Sequence, residues 1–381
     1  MLRTRLYDFH ISHGGKMVDF AGWEMPIMYT RPGGGGGIQE EHHQVRTSGG
    51  LFDVSHMGRV KITGRHARKL LERLCTRKIG DMEPGQCRYS LCCNEQGGVK
   101  DDVIVYRMDD DDFLVVVNAS NREKMLAHFE AVRAAGDLSV KIDDQTLSTS
   151  MVALQGPKVM DMVSKVSREI PTLKRYRFAV KNLIIVKLIV SRTGYTGEDG
   201  VEVILPNAAV DMALKMLLKD VDMEGDNALI RPAGLGARDT LRTEAGMPLY
   251  GHELGEEINA LASGLDFAIA MDKDQGERGE KFVGMDALNR VLDEGGPRRK
   301  LVGLKLEGKR SARQGMTIKS GDKDVGVVTS GCPSPTLGYP IAMGYVERDY
   351  IASGTPLLVD TGKGTIEGVV VPMPFYKAPK R

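Results

Sequence analysis

The chain has 381 residues, of which 41% are hydrophobic and 27% charged, and its 52 basic and 51 acidic residues give a net charge of +1. These values are typical of soluble globular proteins and exclude wholesale disorder, which requires low hydrophobicity and a large net charge. The charge balance argues against nucleic acid as the main partner, because phosphate neutralisation needs a concentrated basic surface. Glycine is unusual at 45 residues, about 12% against a typical value of about 7%.

From the sequence we expect neither a membrane-spanning helix nor a secretory signal peptide. No apolar run approaches the roughly 18–20 residues of a membrane-spanning helix, and the N-terminus lacks the apolar stretch of a signal peptide. The cysteines have an odd count and an irregular spacing that fits neither a disulfide framework nor a zinc site. We therefore expect reduced thiols at Cys75, Cys87, Cys92, Cys93 and Cys332.

The first half of the chain mixes loop, strand and helix signals. Five consecutive glycines at 33–37 predict a loop, because glycine loses the most backbone entropy on ordering. Residues 51–144 form one compact unit, in which 102–106 and 113–117 are β-rich runs separated by an acidic turn.

A helix is predicted to open at Ser120, because Glu123 follows three residues later in the spacing of a capping box. Apolar residues then recur at the helical period. They are Met125, Leu126, Phe129 and Val132.

The second half ends in an all-β region. Residues 182–190 and 201–205 are predicted strands, and a helix is expected from about Ala237. Residues 271–300 are charge-dense and predict a connection around one helix. Beyond residue 300, short alternating strands between glycine and aspartate turns predict a separate domain of about 75 residues, either a barrel or a sandwich.

The segment 194–200 has glycine at every third position. It lacks the Gly-Lys-Ser/Thr of a phosphate-binding loop and lies between two strands, so neither common nucleotide motif fits. Two interpretations stay open: a hairpin loop that needs positive φ, or a close backbone approach to a ligand framed by Tyr195 and Glu202.

Two arginines, Arg238 and Arg242, stand four residues apart on one face of the predicted helix. A guanidinium at the start of a helix suits carboxylate recognition. The alternative is surface charge that pairs with Asp239 or Glu244.

Asp101 and Asp102 begin an apolar strand. Successive strand residues point to opposite faces, so at most one of them faces a given cavity, and that one is a candidate for a perturbed pKa. The alternative is an aspartate that caps a turn. His42, His43 and His56 lack the spacing of metal ligands, so we expect no metal site.

Seven ordered motifs resemble the T-protein family of the glycine cleavage system, the tetrahydrofolate-dependent aminomethyltransferases. The resemblance runs from about Leu6 to Phe375. The motifs are LYDFHISHGGKMVDFAGWEMP, LFDVSHMG, NEQGGVKDDVIVY, ALQGP, SRTGYTGEDGVE, GLGARDTLRTEAG with LYG, and TSGCPSPTLG with IAMGYV.

This resemblance implies an α+β fold of three domains in a cloverleaf around a central channel. Two interleaved folate-binding domains of ferredoxin-like ancestry would be followed by a C-terminal all-β barrel. Domain 1 would comprise residues 1–50 and 145–285, domain 2 residues 51–144, and domain 3 residues 299–377.

The implied reaction passes the methylene unit from the aminomethyl-lipoyl arm of H-protein to tetrahydrofolate, releasing ammonia. Tetrahydrofolate would be a co-substrate, with no metal, no nucleic acid and no membrane as partner. Alternatives are a folate-dependent demethylase acting on a free small methyl donor and a folate-binding scaffold without catalysis. The ending SGCPSP with AMGYV resembles mitochondrial members, which predicts the mitochondrial matrix, or the cytoplasm if the chain is bacterial.

The resemblance also assigns residues. Asp102 would be the catalytic aspartate that orients folate and stabilises positive charge, and Glu202 would accept hydrogen bonds from the pterin ring. The remaining folate-site residues would be Tyr89, Asn118, Tyr195 and Arg238, with Arg381 or its neighbour Lys380 near the folate tail or the lipoyl arm.

Overall fold

The computed structural model describes residues 1–31, 34–183, 186–219, 221–223, 225, 227–276 and 279–379. Its helices are α1 Tyr7–Ser12, α2 Ile38–Thr47, α3 Ala67–Leu74, α4 Arg122–Ala135, α5 Val159–Val166, α6 Val210–Leu217, α7 Leu235–Glu244 and α8 Met285–Asp293. Its strands are β1 Leu2–Arg3, β2 Gly15–Phe20, β3 Trp23–Tyr29, β4 Gly50–Asp53, β5 Gly58–Thr63, β6 Cys87–Cys93, β7 Val99–Asp109, β8 Asp112–Val117, β9 Lys141–Asp144, β10 Thr149–Gln155, β11 Phe178–Leu183, β12 Val186–Ser191, β13 Gly200–Pro206, β14 Arg231–Pro232, β15 Arg299–Leu306, β16 Thr317–Ser320, β17 Lys323–Pro333, β18 Pro340–Glu347, β19 Pro356–Asp360 and β20 Thr365–Val371. Gly33 of the glycine run lies outside the described residues.

Two sheets are interleaved along the chain. One has the strand order β11-β12-β13-β10-β4-β14, and the other has the order β6-β7-β8-β5-β9. The chain therefore leaves the first sheet after β4, builds the whole second sheet, and returns to the first at β10. A smaller sheet, β1-β3-β2, precedes both. The predicted α+β class is confirmed, whereas the domain boundaries stay a prediction.

The C-terminal strands close into a barrel in the order β15-β18-β17-β16-β19-β20. Of the two expected forms, the barrel is therefore confirmed. Its interior is filled by alternating apolar side chains such as Leu304, Ile318 and Val346, each fully buried. This alternation is the period of two that strands impose on their side chains.

The second sheet packs against α3 and α4. Met125 and Phe129 of α4 are fully buried, and Leu126 and Val132 pack against the same core, so the predicted apolar face is confirmed.

The predicted capping box at Ser120 is wrong, because α4 begins at Arg122 and no side chain caps it. Residues 119–121 form a short 3-10 turn instead, with Ser120 inside it. The side chain of Asn121, at the N-cap position, donates to Asp101 Oδ1 at 2.7 Å. The side-chain amide of Asn121 is thus oriented by Asp101, and no side chain accepts from the helix N–H groups.

The predicted single strand over residues 182–190 is wrong. Strands β11 and β12 pair antiparallel with Asn182 opposite Lys187, so the chain reverses between them. Residues 184–185 lie outside the described part of the chain. Residues 183–186, between that pair, include no glycine, proline or asparagine in the sequence, which explains the error.

Helix α7 begins two residues before the predicted start and lies tightly against β3. A Cβ at Gly234, its N-cap, would lie 2.5 Å from the carbonyl oxygen of Ile27. The buried carboxylate of Glu41 accepts the Gly234 N–H at 2.8 Å and the Tyr29 N–H at 2.5 Å. Glycine is needed here because the two backbones approach closely.

A buried charge network joins the barrel to helices α2 and α7. Arg46 contacts Glu244 at 2.9 Å and Glu198 at 3.0 Å. The other Glu244 oxygen accepts the Ser334 hydroxyl at 2.5 Å and the Thr336 N–H at 3.0 Å, both from the barrel. Burial alone would raise the pKa of Glu244, but the hydrogen bond and charge of nearby His42 and the bonds from Ser334 and Thr336 lower it to about 2.

We expect Glu244→Gln to lower the free energy of unfolding by about 3–5 kcal/mol, because Arg46 would keep a buried charge without its main partner. The folded pKa lies below the unfolded value, so this contribution is present above about pH 4.5 and is lost as the pH falls towards 2. Urea unfolding at pH 7 measures it.

The control for this prediction is Glu130→Gln on the exposed face of α4, where Glu130 pairs with Arg133. It should change stability by less than about 0.5 kcal/mol. Equal effects of the two substitutions would contradict a special role for the buried network.

Candidate active site

A cavity of about 1050 Å³ lies where both large sheets, helix α7 and the barrel meet. All the described residues that the sequence assigned to the folate site line it, although they come from separate strands and loops. They are Tyr89, Asp102, Asn118, Tyr195, Glu202 and Arg238. Lys380 and Arg381 lie outside the described residues, so their assignment stays a prediction.

Strand β7 presents its two aspartates to opposite sides, as the strand period requires. Asp102 lines the cavity, and Tyr89 donates its hydroxyl to Asp102 Oδ2 at 3.0 Å. Asp101 is fully buried on the other face, next to Asn121. One amide group joins the two: Asn118 Nδ2 lies 2.8 Å from Asp101 Oδ1 and 2.7 Å from Asp102 Oδ1.

The two carboxyl groups do not ionise independently. Burial, followed by the charge of Asp102, raises the pKa of Asp101 to about 7, against the hydrogen bonds from Asn118 and Asn121. Burial also raises the pKa of Asp102, and the bonds from Tyr89 and Asn118 oppose this. Near neutral pH the pair therefore carries fewer than two negative charges.

The other wall pairs a carboxylate with a guanidinium. Glu202 of β13 is buried, and its Oε2 accepts the hydroxyl of Thr193. Burial raises the pKa of Glu202 and lowers that of Arg238, and in each case the charge of the other group opposes the shift. Arg238 lies over the Tyr195 ring, with Cζ 4.7 Å from the ring centroid.

One donor of Arg238 has no acceptor. Its Nη1 atom is buried and forms no hydrogen bond with any described residue. Buried polar atoms are nearly always satisfied, so an unpaired donor on a cavity wall indicates a place for a ligand acceptor. Arg242, on the same helix face, instead forms an ion pair with Glu253 at 2.9 Å and donates a hydrogen bond to Ser330 of the barrel at 2.7 Å.

The glycines of 194–200 serve packing as well as turning. Only Gly197 has positive φ, at 82°. A Cβ at Gly194 would lie 1.9 Å from Gln155 Oε1, and one at Gly200 would lie 2.1 Å from the carbonyl oxygen of Leu154. The hairpin-loop interpretation thus explains one glycine, and close packing on β10 explains the other two.

Sequence reasoning missed several lining residues. His56 was considered only as a metal ligand, yet it is buried in the cavity wall with Nδ1 unpaired among the described residues. Burial lowers the pKa of His56 to about 4, so its imidazole is neutral. Tyr176 and Phe267 also line the cavity, and no motif marks either of them.

Metal ligands, membrane-spanning helices and disulfides were searched for in all the residues that the structure describes. They contain no group of three or more potential metal ligands, and His42 bonds to Thr240 and Thr336 at 2.8 Å each. None of their helices is long and apolar enough to cross a membrane. The five cysteines are all buried and none of them forms a disulfide, whereas their reduced state stays a prediction.

We expect Asp101→Asn to flatten the pH dependence of stability. A carboxyl whose pKa rises to about 7 on folding contributes stability below its unfolded pKa, and this contribution is lost as the pH rises through 7. Between pH 5.5 and 8 the wild-type protein should lose on the order of 2 kcal/mol more than the variant.

Urea unfolding at several pH values tests this. Asp109→Asn, at the exposed end of the same strand, is the matched control and should keep the wild-type pH dependence. The same slope for Asp101→Asn and wild type would contradict the assignment.

Comparisons with known proteins agree with this geometry. Residues 6–273 match the family model of the GCVT N-terminal domain, and residues 299–377 match that of the glycine cleavage T-protein C-terminal barrel domain. An aminomethyltransferase of Rubrobacter xylanophilus is 46% identical over 98% of this chain and 94% of its own length. One of Alkaliphilus oremlandii is 40% identical over 98% and 97%.

Among solved structures, the glycine cleavage system aminomethyltransferase T from Bartonella henselae superposes with a TM-score of 0.87 at 30% identity. The match covers 99% of this chain and 98% of the other. Agreement in sequence, fold and barrel closure over nearly the whole length leaves one conclusion. The chain belongs to the glycine cleavage T-protein family.

Proposed function

We propose that this chain is an aminomethyltransferase that passes the methylene carbon of an aminomethyl group, held on the reduced lipoyl arm of an H-protein, to tetrahydrofolate. The products are 5,10-methylenetetrahydrofolate, ammonia and the dihydrolipoyl carrier. One observation carries the proposal: a single cavity joins Asp102 to the Glu202–Arg238 pair in a chain that matches aminomethyltransferases over its full length.

The Glu202–Arg238 wall suits the pterin ring. The polar edge of pterin offers N–H donors beside a carbonyl acceptor. The buried carboxylate of Glu202 can accept, and the unpaired Nη1 of Arg238 can donate. Burial strengthens both contacts because few waters compete.

The cavity is large enough for two substrates. Small-molecule sites usually span about 300–1000 Å³, and this one is about 1050 Å³. A folate and the end of a lipoyl arm can therefore meet inside it. Two bound substrates would displace water from the iminium-like intermediate of the transfer, which water would otherwise trap.

The reaction breaks the C–N and C–S bonds of the aminomethyl group and forms two C–N bonds, to N5 and N10 of the folate. The two protons released by these nitrogens end on ammonia and on the lipoyl thiol. We assign Asp102 the role of orienting the folate nitrogens and stabilising the positive charge that develops there. Tyr89 and Asn118 hold its carboxylate in place.

The compartment stays a prediction. The mitochondrial matrix was inferred from the SGCPSP and AMGYV motifs, whereas the relatives named above are bacterial. The bacterial origin of these relatives does not support a mitochondrial location for this chain.

Asp102→Asn should reduce the transfer rate by roughly 10²–10⁴-fold, because the neutral amide cannot stabilise positive charge or accept a proton. Folate affinity should change little. The assay mixes aminomethyl-lipoyl H-protein with tetrahydrofolate and follows methylenetetrahydrofolate and ammonia, with Asp109→Asn as the control on the same strand.

The possible outcomes separate the functions. No turnover by folded wild-type protein with a competent carrier would refute the aminomethyltransferase. Folate binding without turnover would indicate a scaffold, and methyl transfer from a free donor would indicate a demethylase. An unchanged rate in Asp102→Asn would move the chemistry away from this carboxylate.

Glu202→Gln should raise the KM for tetrahydrofolate by about 10–200-fold, because a carboxylate acceptor for pterin N–H groups is lost. The kcat should fall less than the KM rises. Glu367→Gln, exposed on β20 of the barrel, should leave both constants unchanged. A loss confined to kcat would contradict a binding role for Glu202.

A further inference from the structure

Three buried hydroxyl groups lead in sequence to the carboxylate of Glu202. Thr193 donates to Glu202 Oε2, and Ser191 Oγ lies 2.6 Å from Thr193 Oγ1. The hydroxyl oxygen of Tyr106 lies 3.1 Å from Ser191 Oγ. Tyr106 and Ser191 are almost fully buried, and Thr193 is buried at the cavity wall. We call Tyr106, Ser191 and Thr193 the hydroxyl chain.

The number of protons fixes the direction of the hydroxyl chain. Each hydroxyl has one proton, and an ionised carboxylate can only accept. Because Thr193 uses its proton on Glu202, Ser191 must donate to Thr193 at 2.6 Å. Tyr106 must then donate to Ser191. All three protons therefore point towards the carboxylate.

The phenol of Tyr106 opposes a reversal of this direction. A protonated Glu202 would donate to Thr193, and Thr193 would then donate to Ser191. Ser191 would have to turn either to the carbonyl of Glu202, 3.4 Å away, or to Tyr106, whose own proton would lose its acceptor within the described residues. One choice replaces a short bond by a long one, and the other leaves a buried donor unpaired. The chain therefore favours the ionised form of Glu202.

The hydroxyl chain connects the two walls of the site. Tyr106 and Asp102 are four residues apart on β7, so the alternation of side chains places them on one face of the strand. Ser191 ends β12 and pairs with Glu202 on β13. The strand that carries the assigned catalytic aspartate is thus hydrogen-bonded, through the core between the two sheets, to the carboxylate of the opposite wall.

The surroundings of Glu202 leave few contacts that can favour its charge. Burial raises the pKa of Glu202, and the hydrogen bond from Thr193 and then the charge of Arg238 lower it. The charge of Glu202 also acts on three groups whose pKa values burial raises and which are therefore neutral near pH 7. They are Cys87, Tyr106 and Tyr176.

We propose that Thr193 is a positioning residue that holds Glu202 ionised and aimed at the pterin ring, with Ser191 and Tyr106 orienting its hydroxyl. The inference rests on the proposed function, in which Glu202 accepts hydrogen bonds from the pterin. Thr193 lines the cavity, whereas Ser191 and Tyr106 lie behind its wall and act only through Thr193.

The main test replaces Thr193 by valine, which removes the hydroxyl and keeps the shape of the side chain. We expect Thr193→Val to raise the KM for tetrahydrofolate about 10-fold at pH 7, with kcat changed less than about 3-fold. Without this hydrogen bond the pKa of Glu202 rises further, because a contact that favours the charged form is lost. As the pH is lowered from 8.5 to 5, the KM should therefore begin to climb about one pH unit earlier than in wild type.

Thr193→Ser is the conservative variant for this test. It keeps the hydroxyl, so both the KM and its pH dependence should return to nearly the wild-type values. Wild type measured in parallel accounts for the titration of the substrates themselves.

The residues behind the wall supply a second readout. Tyr106→Phe and Ser191→Ala leave the cavity lining intact but release the hydroxyl of Thr193. Each should shift the pH dependence of the KM in the same direction as Thr193→Val, by a smaller amount. Ser150→Ala is the matched control, because Ser150 is a buried serine of the first sheet whose hydroxyl donates to Asn207 at 2.7 Å. Whatever its effect on the melting temperature, it should leave the KM and its pH dependence unchanged.

Each contrary result has a distinct meaning. A wild-type KM with wild-type pH dependence in Thr193→Val would overturn the positioning role. Failure of Thr193→Ser to restore the KM would assign the effect to side-chain shape and would overturn it as well. An equal rise in Ser150→Ala would reduce the hydroxyl chain to structural support. No turnover of tetrahydrofolate by the folded wild-type protein would instead refute the proposed function, before any variant is compared.

Discussion

The candidate site depends on one amide group shared by two neighbouring carboxyls. Adjacent residues of a strand point to opposite faces, so Asp101 and Asp102 lie in different surroundings. The amide of Asn118, directly after β8, contacts both, at 2.8 and 2.7 Å. Burial and mutual repulsion then favour a single charge on the pair, and the position of Asp102 at the cavity allows that charge to act on a substrate.

The opposite wall is positioned by contacts between the parts of the fold. Helix α7 carries Arg238 and begins at a glycine that fits tightly against β3. Further along the same helix, Arg242 bonds to Ser330 and Glu244 bonds to Ser334, both in the barrel. The barrel therefore fixes the helix that presents the guanidinium, although few of its own side chains line the cavity.

Most of this arrangement could be predicted from the sequence. The predictions were wrong where contacts between residues distant in the sequence decide the local structure. The strands around 102–106 and 113–117, the buried face of α4 and the all-β C-terminal region follow from periodicity and turn residues. The closure of that region into a barrel followed only from the family resemblance. The start of α4 did not, because Asn121 bonds to the distant Asp101 instead of capping. Residues 182–190 hid a strand reversal without a turn signal, and the positive φ of Tyr176 has no sequence signature. Family motifs placed six residues in one cavity, which spacing alone could not have done.

The central claim is that folate lies between the Asp102 edge and the Glu202–Arg238 wall. A crystal structure of the protein with bound tetrahydrofolate tests it most directly. The account predicts the polar pterin edge against Glu202 and the now unpaired Nη1 of Arg238, with the reacting nitrogens towards Asp102. Folate bound outside the cavity, or with its pterin ring away from Glu202 and Arg238, would contradict it.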